Sequence, residues 1–176
     1  MKALQISKFG EIEDSLFINE IYKSIPQATD VLIEVKAASI NPIDKSTVLG
    51  NMQNLLPVSL PQTVAYDVSG IVVEKGDEVN NFEIGDLVYS RVPQEQMGTI
   101  AEYVAVASAA VSKKPENISF EEAASLPLAG LTAMQSLEYS GMKKDDRVLI
   151  HAGSGGVGSF AIQYAKAKGA YVYTTT

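Results

Sequence analysis

A glycine-rich segment, residues 153–158 with the sequence GSGGVG, constrains this chain more than any other part of it. A short apolar run, residues 147–151, precedes it, and apolar residues at helical spacing follow it. A second β-branched and aromatic run occupies residues 171–176. A Gly-x-Gly-x-x-Gly loop between a strand and a helix can bind a pyrophosphate at the N–H groups of the helix N-terminus. The sequence therefore predicts a βαβ unit with a parallel sheet, the opening unit of a dinucleotide-binding domain.

Each glycine of this loop has an expected role. We expect Gly153 to allow a tight turn, Gly155 to let the backbone approach the pyrophosphate, and Gly158 to let the helix pack closely on the sheet. The alternative is a glycine-rich connection in an unrelated α/β protein, which the flanking strand and helix patterns disfavour.

The second strand of the unit bears on the choice of cofactor. An NAD-binding fold places an acidic residue on the ribose about 20 residues beyond the loop. This chain has no acidic residue after Asp146, and Thr174, Thr175 and Thr176 present hydroxyls where a carboxylate would repel a 2′-phosphate. The sequence therefore favours NADP over NAD, with Thr175 as a cofactor-binding candidate. The alternative is that the three threonines are simply good strand residues.

The N-terminal part reads differently. From Lys2 to about Val111, short alternating apolar runs are broken by turn residues, which predicts a small antiparallel β-barrel. Val31, Ile33 and Val35, for example, alternate at period two. Residues 41–61 contain several turn-forming residues, three of them prolines, so we expect an extended surface loop there without a long regular element.

The two parts meet at a predicted helix start. Ser119 and Glu122 have the spacing of a capping box, in which each side chain bonds the backbone N–H of the other residue. Pro127 ends this helix and a second helical pattern follows. We therefore predict an α/β chain with a β domain over residues 1–122 and the start of a dinucleotide-binding domain over residues 123–176.

Composition excludes several classes of function. The net charge of −7 and the pI near 4.7 disfavour a nucleic-acid partner, which requires a basic surface. The absence of cysteine excludes disulfides and thiolate metal sites. Neither a signal peptide nor a run of apolar residues long enough to span a bilayer is present, so we expect a cytoplasmic protein without a membrane partner.

Several segments together resemble the N-terminal half of the zinc-free quinone oxidoreductases, the zeta-crystallin-like group of the medium-chain dehydrogenase/reductase superfamily. The matching segments are residues 37–44, 65–70, 85–89, 98–103, 121–127, 130–133 and 151–158. The resemblance implies a GroES-like antiparallel β-barrel followed by the first βαβ unit of an incomplete Rossmann domain. It also implies an NADPH-dependent enzyme that transfers hydride to a quinone or another conjugated enone.

Zinc is not expected. In the zinc-dependent branch of that superfamily a cysteine stands at the position of Asn41, and a Gly-His-Glu segment stands at residues 65–67. A catalytic zinc needs three protein ligands, and the only histidine, His151, lies on the first strand of the βαβ unit. For His151 we favour a packed or hydrogen-bonded role beneath the glycine loop over acid–base catalysis.

The resemblance also assigns positions around the cofactor: Asn41 and Thr132 near the nicotinamide, and Ser154, Gly155, Gly156 and Val157 on the pyrophosphate. Alternatively, Asn41 only begins an Asn-Pro turn, and Thr132 only bonds within its helix. The weaker candidates Asp44, Tyr66 and Asp67 could equally be structural.

One departure concerns the acceptor. Relatives commonly show Arg-x-Gly-x-Tyr after the Asn-Pro segment, whereas this chain has Val48 and Met52 at the arginine and tyrosine positions. An enoyl or alkenal reductase is therefore an alternative to a quinone reductase, and a catalytically silent crystallin-like binding protein is a third. We expect the complete protein to be a homo-oligomer, and the 176-residue chain to be part of a longer protein and inactive by itself.

Overall fold

The computed structural model describes all residues from 1 to 176, which divide into two units, Met1–Ser125 and Leu126–Thr176. The first unit consists mainly of short strands. Its elements in chain order are β1 (Lys2–Ile6), α1 (Ile12–Ser15), β2 (Leu16–Glu20), β3 (Asp30–Ser39), α2 (Pro42–Val48), β4 (Gln62–Thr63), β5 (Asp67–Lys75), β6 (Leu87–Arg91), a 3-10 turn (Gln94–Gln96), β7 (Tyr103–Ala107), a second 3-10 turn (Ser108–Ala110), β8 (Val111–Lys113) and α3 (Phe120–Ser125).

These strands form two antiparallel sheets. The larger sheet has the order β7-β3-β5-β6-β8, and the smaller sheet has the order β2-β1-β4. The segment that precedes β7 links the sheets, because the Leu4 N–H donates to the Ile100 carbonyl at 2.9 Å and the Glu102 N–H donates to the Lys2 carbonyl at 3.1 Å. The mixed α/β class and the antiparallel character of the first part are confirmed.

The core of the first unit lies along β3, β5 and β6, where Val31, Ile33, Val72 and Val88 are fully buried. Leu32 is fully buried as well, so burial along β3 does not follow the strict alternation that the sequence pattern suggests. This strand pairs with β5 and β7 on its two edges and packs against α3, and so its residues are enclosed from several sides.

The expected extended loop over residues 41–61 begins instead with a helix, α2, and the prediction is wrong for residues 42–48. Pro42 suits the first position of a helix, because the N–H that proline lacks has no intrahelical partner there. The Asn41 N–H donates to the Asp44 carboxylate at 2.6 Å. This bond satisfies a free backbone donor at the helix start.

The second unit contains α4 (Pro127–Tyr139), β9 (Arg147–Ile150), α5 (Gly156–Ala167) and β10 (Tyr171–Thr174). β9 and β10 are parallel and pair from Arg147–Tyr171 to Ile150–Thr174, so the predicted βαβ unit is present. Its core is a small cluster of buried residues from α4, β9 and α5: Ala133, Leu137, Ile150, Ala161 and Ala165.

The junction contains the predicted capping box. The Ser119 N–H donates to Glu122 Oε2 at 2.8 Å, and the Glu122 N–H donates to Ser119 Oγ at 3.1 Å. The helix that follows, α3, packs against β3, β5 and β6, and the Ser69 hydroxyl donates to the Phe120 carbonyl at 2.5 Å. Because of these contacts α3 belongs to the first unit, and the division falls after Ser125, whereas the sequence pattern places it after residue 122.

The longest helices, α4 and α5, have 13 and 12 residues. No helix of this chain combines the length and the apolar composition needed to cross a membrane.

Candidate functional site

The glycine loop and the start of α5 form the first candidate site. Gly155 is the residue before the helix, and its N–H donates to the Ala152 carbonyl at 3.0 Å, which closes a turn. The N–H groups of the first helical turn have no intrahelical acceptor. The predicted pyrophosphate contacts Ser154, Gly155, Gly156 and Val157 are therefore consecutive residues at the N-terminus of a helix, where free donors and the helix dipole favour an anion.

The glycines of this loop serve different purposes. A side chain at Gly158 would collide with the Ala152 carbonyl, so glycine is needed there for α5 to pack closely, against the loop that follows β9 rather than the sheet itself. A Cβ at Gly155 would lie 3.3 Å from the same oxygen, a tight but bearable contact, so the protein by itself demands glycine less strongly there. Gly153 lies inside the turn that the Gly155–Ala152 hydrogen bond closes, although the left-handed residue there is Ala152, with φ of 53°. Gly153 also has to lack a side chain because a Cβ there would meet the Thr174 hydroxyl.

The threonines at the end of β10 are bonded to the protein. Thr174 Oγ1 donates to the Ile150 carbonyl at 2.9 Å, so this hydroxyl is not turned toward a ligand as the sequence suggested. Thr175 Oγ1 accepts from the Ala152 N–H at 3.3 Å and lies 3.2 Å from Nδ1 of the exposed His151. These contacts tie the second strand to the glycine loop and give His151 the expected hydrogen-bonded place at the strand end.

The second candidate site lies in the first unit, where β3 ends and β5 begins. The Asp67 carboxylate is fully buried, and one of its oxygens, Oδ2, accepts from Asn41 Nδ2 at 3.0 Å and from the Ser39 hydroxyl at 3.0 Å. The antiparallel register of the two strands places Ser39 directly opposite Asp67. The sequence predicted Asn41 and Asp67 as candidates but missed Ser39, whose role depends on this register.

Asp44 adds a second buried carboxylate. Its side chain accepts the Asn41 N–H through Oδ2, whereas the buried Oδ1 has no hydrogen-bond partner. Burial raises the pKa of Asp44 to about 6, against the effect of the Asn41 N–H, which lowers it. The charge of Asp67 raises this pKa further, and the charge of Arg91 lowers it.

Tyr66 and Arg91 complete this cluster. Tyr66 is fully buried, and its hydroxyl has no hydrogen-bond partner. The Arg91 guanidinium lies over the tyrosine ring, 4.8 Å from its centroid. Burial raises the pKa of Tyr66 above its ordinary value, the positive charge of Arg91 lowers it, and the charges of Asp44 and Glu95 raise it. Sequence analysis missed Arg91, which reaches this position because β6 pairs with β5 and places it opposite Asp67.

Thr132 belongs to the second unit. It is exposed on α4, and its hydroxyl donates to the Leu128 carbonyl one turn earlier at 2.7 Å, as the structural alternative supposed. No group of three or more His, Cys, Asp and Glu side chains in the chain is arranged to hold a metal ion.

Comparisons with known proteins identify relatives of this chain. Residues 27–116 match the alcohol dehydrogenase GroES-like domain family. The 2-methylene-furan-3-one reductase of Solanum lycopersicum is 37% identical over 172 residues, which cover 94% of this chain and 44% of that protein. The quinone oxidoreductase of Coxiella burnetii superposes with a TM-score of 0.89 at 43% identity, covering 100% of this chain and 56% of that one.

A third relative is the Escherichia coli quinone oxidoreductase, solved in complex with NADPH. Its TM-score is 0.87 at 30% identity, and the match covers 100% of this chain and 52% of that one. The chain thus spans about half the length of the relatives it matches. The chain belongs to the alcohol dehydrogenase GroES-like domain family of the medium-chain dehydrogenase/reductase superfamily, and it matches the N-terminal half of relatives that resemble quinone oxidoreductase.

Proposed function

We propose that this chain is part of a zinc-independent oxidoreductase that uses NADPH to reduce a quinone or a conjugated enone. The observation that carries the proposal is the intact glycine loop between β9 and α5, whose free backbone donors and close helix packing suit a dinucleotide pyrophosphate. When bound, the nicotinamide supplies the hydride. The chain then has to hold this cofactor, orient the acceptor and stabilise the charge that develops on the acceptor oxygen.

The residues divide by task. Ser154, Gly155, Gly156 and Val157 hold the pyrophosphate, and Thr175 supports the loop through its bond to the Ala152 N–H. Asn41 and Thr132 bind near the nicotinamide, while Tyr66 and Asp67 belong to the acceptor side. Asn41 is suited to a positioning role because its side-chain amide is already fixed by the Asp67 carboxylate, so its orientation is defined before a ligand arrives.

NADP is the preferred form of the cofactor. The chain contains no acidic residue after Asp146, so no carboxylate of the second unit's last strand repels a 2′-phosphate. The NADPH complex of the Escherichia coli relative supports the same choice.

Zinc independence rests on the donor set of the first unit. Asn41 and Asp67 already bond each other, and Tyr66 stands where zinc-dependent relatives carry a histidine. These side chains do not offer the three free ligands that a catalytic zinc needs.

Reduction of an enone such as an alkenal is the second candidate function. Val48, at the position of the arginine found in relatives, is an apolar residue buried in α2, which makes this part of the unit less polar. The furanone reductase among the relatives also acts on a compound of this class, as its name states.

Nucleotide binding to the glycine loop tests the proposal directly. We expect 2′,5′-ADP to shift the backbone amide resonances of Gly156, Val157 and Gly158 in the 176-residue chain, and 5′-AMP to bind at least tenfold more weakly. Equal affinity for the two nucleotides would contradict the NADP preference. If neither nucleotide moved these resonances, the cofactor assignment would be wrong, and a catalytically silent protein would be the better interpretation.

A further inference from the structure

We propose that the Tyr66 hydroxyl donates a hydrogen bond to the carbonyl oxygen of the acceptor, and that Arg91 is the positioning residue that holds the Tyr66 ring for this contact. The inference deepens the proposed function, because it names the group in the first unit that recognises the acceptor.

The first observation is an unpaired hydroxyl in a buried place. Tyr66 is fully buried, yet no protein atom accepts from or donates to its hydroxyl. Buried polar groups in folded proteins nearly always have a partner, since an unpaired one weakens the fold. The oxygen of a bound ketone or quinone has the lone pairs that a phenolic O–H requires.

The second observation concerns the charges around the phenol. The Arg91 guanidinium lies over the ring, 4.8 Å from its centroid. Its positive charge opposes the rise in the pKa of Tyr66, which strengthens the phenol as a donor and suits negative charge on a nearby oxygen. Burial, and after it the charges of Asp44 and Glu95, raise the pKa of Tyr66, so that the phenol keeps its proton near neutral pH.

These charges also define the ligand class. The charge of Asp44 acts on Tyr66, and the buried Oδ1 of Asp44 has no hydrogen-bond partner. An ionised Asp44 repels a carboxylate ligand, whereas a neutral carbonyl compound accepts from the phenol without that penalty. Arg91 is only partly buried, so Tyr66 and Arg91 together extend from the interior of the first unit to its surface.

The arrangement also accounts for the departure noted in the sequence. Val48 and Met52 occupy the positions where relatives have an arginine and a tyrosine. In this chain an arginine from the end of β6 and a tyrosine from the residue before β5 provide the same two chemical groups from a different part of the unit.

The test follows the tyrosine Cζ resonances of the 176-residue chain by ¹³C NMR during titration with 2-cyclohexen-1-one, with cyclohexene as the hydrocarbon control. Tyr66→Phe identifies the Tyr66 signal, and backbone-directed assignment replaces that variant if it does not fold. We expect a saturable shift of the Tyr66 signal with the enone and none with cyclohexene. Tyr103 is the matched control, because the Lys23 ammonium lies over its ring, 4.5 Å from the centroid. The Tyr103 signal should not move with either compound.

Arg91 is tested by two variants. Arg91→Met should weaken enone binding about tenfold, and Arg91→Lys, which keeps the charge, should stay within about threefold of the unaltered chain. An enone that leaves the Tyr66 signal unmoved overturns the inference, as do equal losses in both Arg91 variants. Nucleotide binding to the glycine loop is measured separately. If the loop binds 2′,5′-ADP but the Tyr66 signal does not shift with the enone, only this inference is refuted. If the Tyr66 signal shifts but the loop binds no nucleotide, the cofactor assignment is refuted.

Discussion

The two units bury their sheets to different degrees. In the first unit the central strands are enclosed, with Val31, Val72 and Val88 fully buried. In the second unit the two-stranded sheet is packed by helices through residues such as Ile150, while Leu149, Tyr171 and Tyr173 remain 59%, 61% and 56% exposed. Enclosure is what shifts the pKa values of Asp44 and Tyr66, since desolvation is the largest cause in both cases.

The difference extends to the chemistry that each unit offers. The candidate site of the first unit consists of side chains, such as Tyr66 and Asp67, whose properties depend on burial and on neighbouring charges. The candidate site of the second unit consists of backbone N–H groups at the start of α5, which need only the local course of the chain. The backbone site therefore depends on the local course of the chain, whereas the side-chain site depends on burial and on neighbouring charges.

The largest expected effect comes from Gly158→Val. A side chain there collides with the Ala152 carbonyl, so the loop cannot keep its course against α5. We expect the affinity for 2′,5′-ADP to fall more than a hundredfold, while the amide resonances of the first unit stay unchanged. Gly130→Ala is the matched control, because a Cβ at Gly130 meets nothing within 4 Å. Unaltered nucleotide binding in Gly158→Val would contradict the cofactor assignment.

The second prediction concerns the exposed face of the β9–β10 sheet. We expect the 176-residue chain to bind a hydrophobic dye and to self-associate, because this apolar face and the free strand edges offer surfaces for association. Replacing Leu149, Tyr171 and Tyr173 together by threonine should reduce dye fluorescence several-fold. Ile25→Thr, at a residue 86% exposed in the first unit, is the control and should change the signal little. Dye binding measured together with sedimentation velocity checks this, and a monomer that does not bind dye would refute the prediction.

The third prediction uses the buried carboxylate of Asp44. Because its pKa is raised to about 6 in the folded chain, the folded state binds the proton more tightly than the unfolded state. Asp44 therefore adds stability as the pH falls through about 6 toward the ordinary aspartate value, and adds none well above 6. Between about pH 8 and about pH 5 the free energy of unfolding should gain about 1 kcal/mol from this group, and Asp44→Asn should lose that gain.

Urea unfolding at the two pH values measures this difference. Asp86→Asn is a control of opposite sign. The Glu83 N–H and the Lys113 ammonium lower the pKa of Asp86, so the contribution of Asp86 to the stability of the chain decreases as the pH falls. If Asp44→Asn had the same pH dependence as the unaltered chain, Asp44 would not be the buried, proton-retaining carboxyl described above.

The smallest expected effect is that of chelation. Exhaustive treatment with EDTA should leave the thermal unfolding midpoint of the chain unchanged, and elemental analysis should find no stoichiometric zinc, because Asn41 and Asp67 bond each other. One zinc per chain would contradict zinc independence and would indicate that this pair rearranges around a metal.

Local patterns in the sequence determined much of this molecule. The capping box at Ser119, the helix after Pro127 and the parallel βαβ unit all formed where adjacent residues predicted them. Such features depend on propensity and hydrogen bonding between residues close in the chain. The same local reasoning failed for residues 42–48, where a helix formed although prolines and turn residues predicted an extended loop. It also did not supply the contact at Gly153, where a Cβ would meet the Thr174 hydroxyl on another strand.

Only the tertiary structure decided how the candidate acceptor site is assembled. The family resemblance proposed Asn41, Tyr66 and Asp67, but it did not supply Ser39 or Arg91 as neighbours. Those two side chains reach the cluster through the register of β3 with β5 and of β5 with β6. A shift of one residue in either pairing turns each side chain to the opposite face of the sheet. Register, and the burial that raises the pKa values of Asp44 and Tyr66, arise from contacts between distant parts of the chain, which no local pattern encodes.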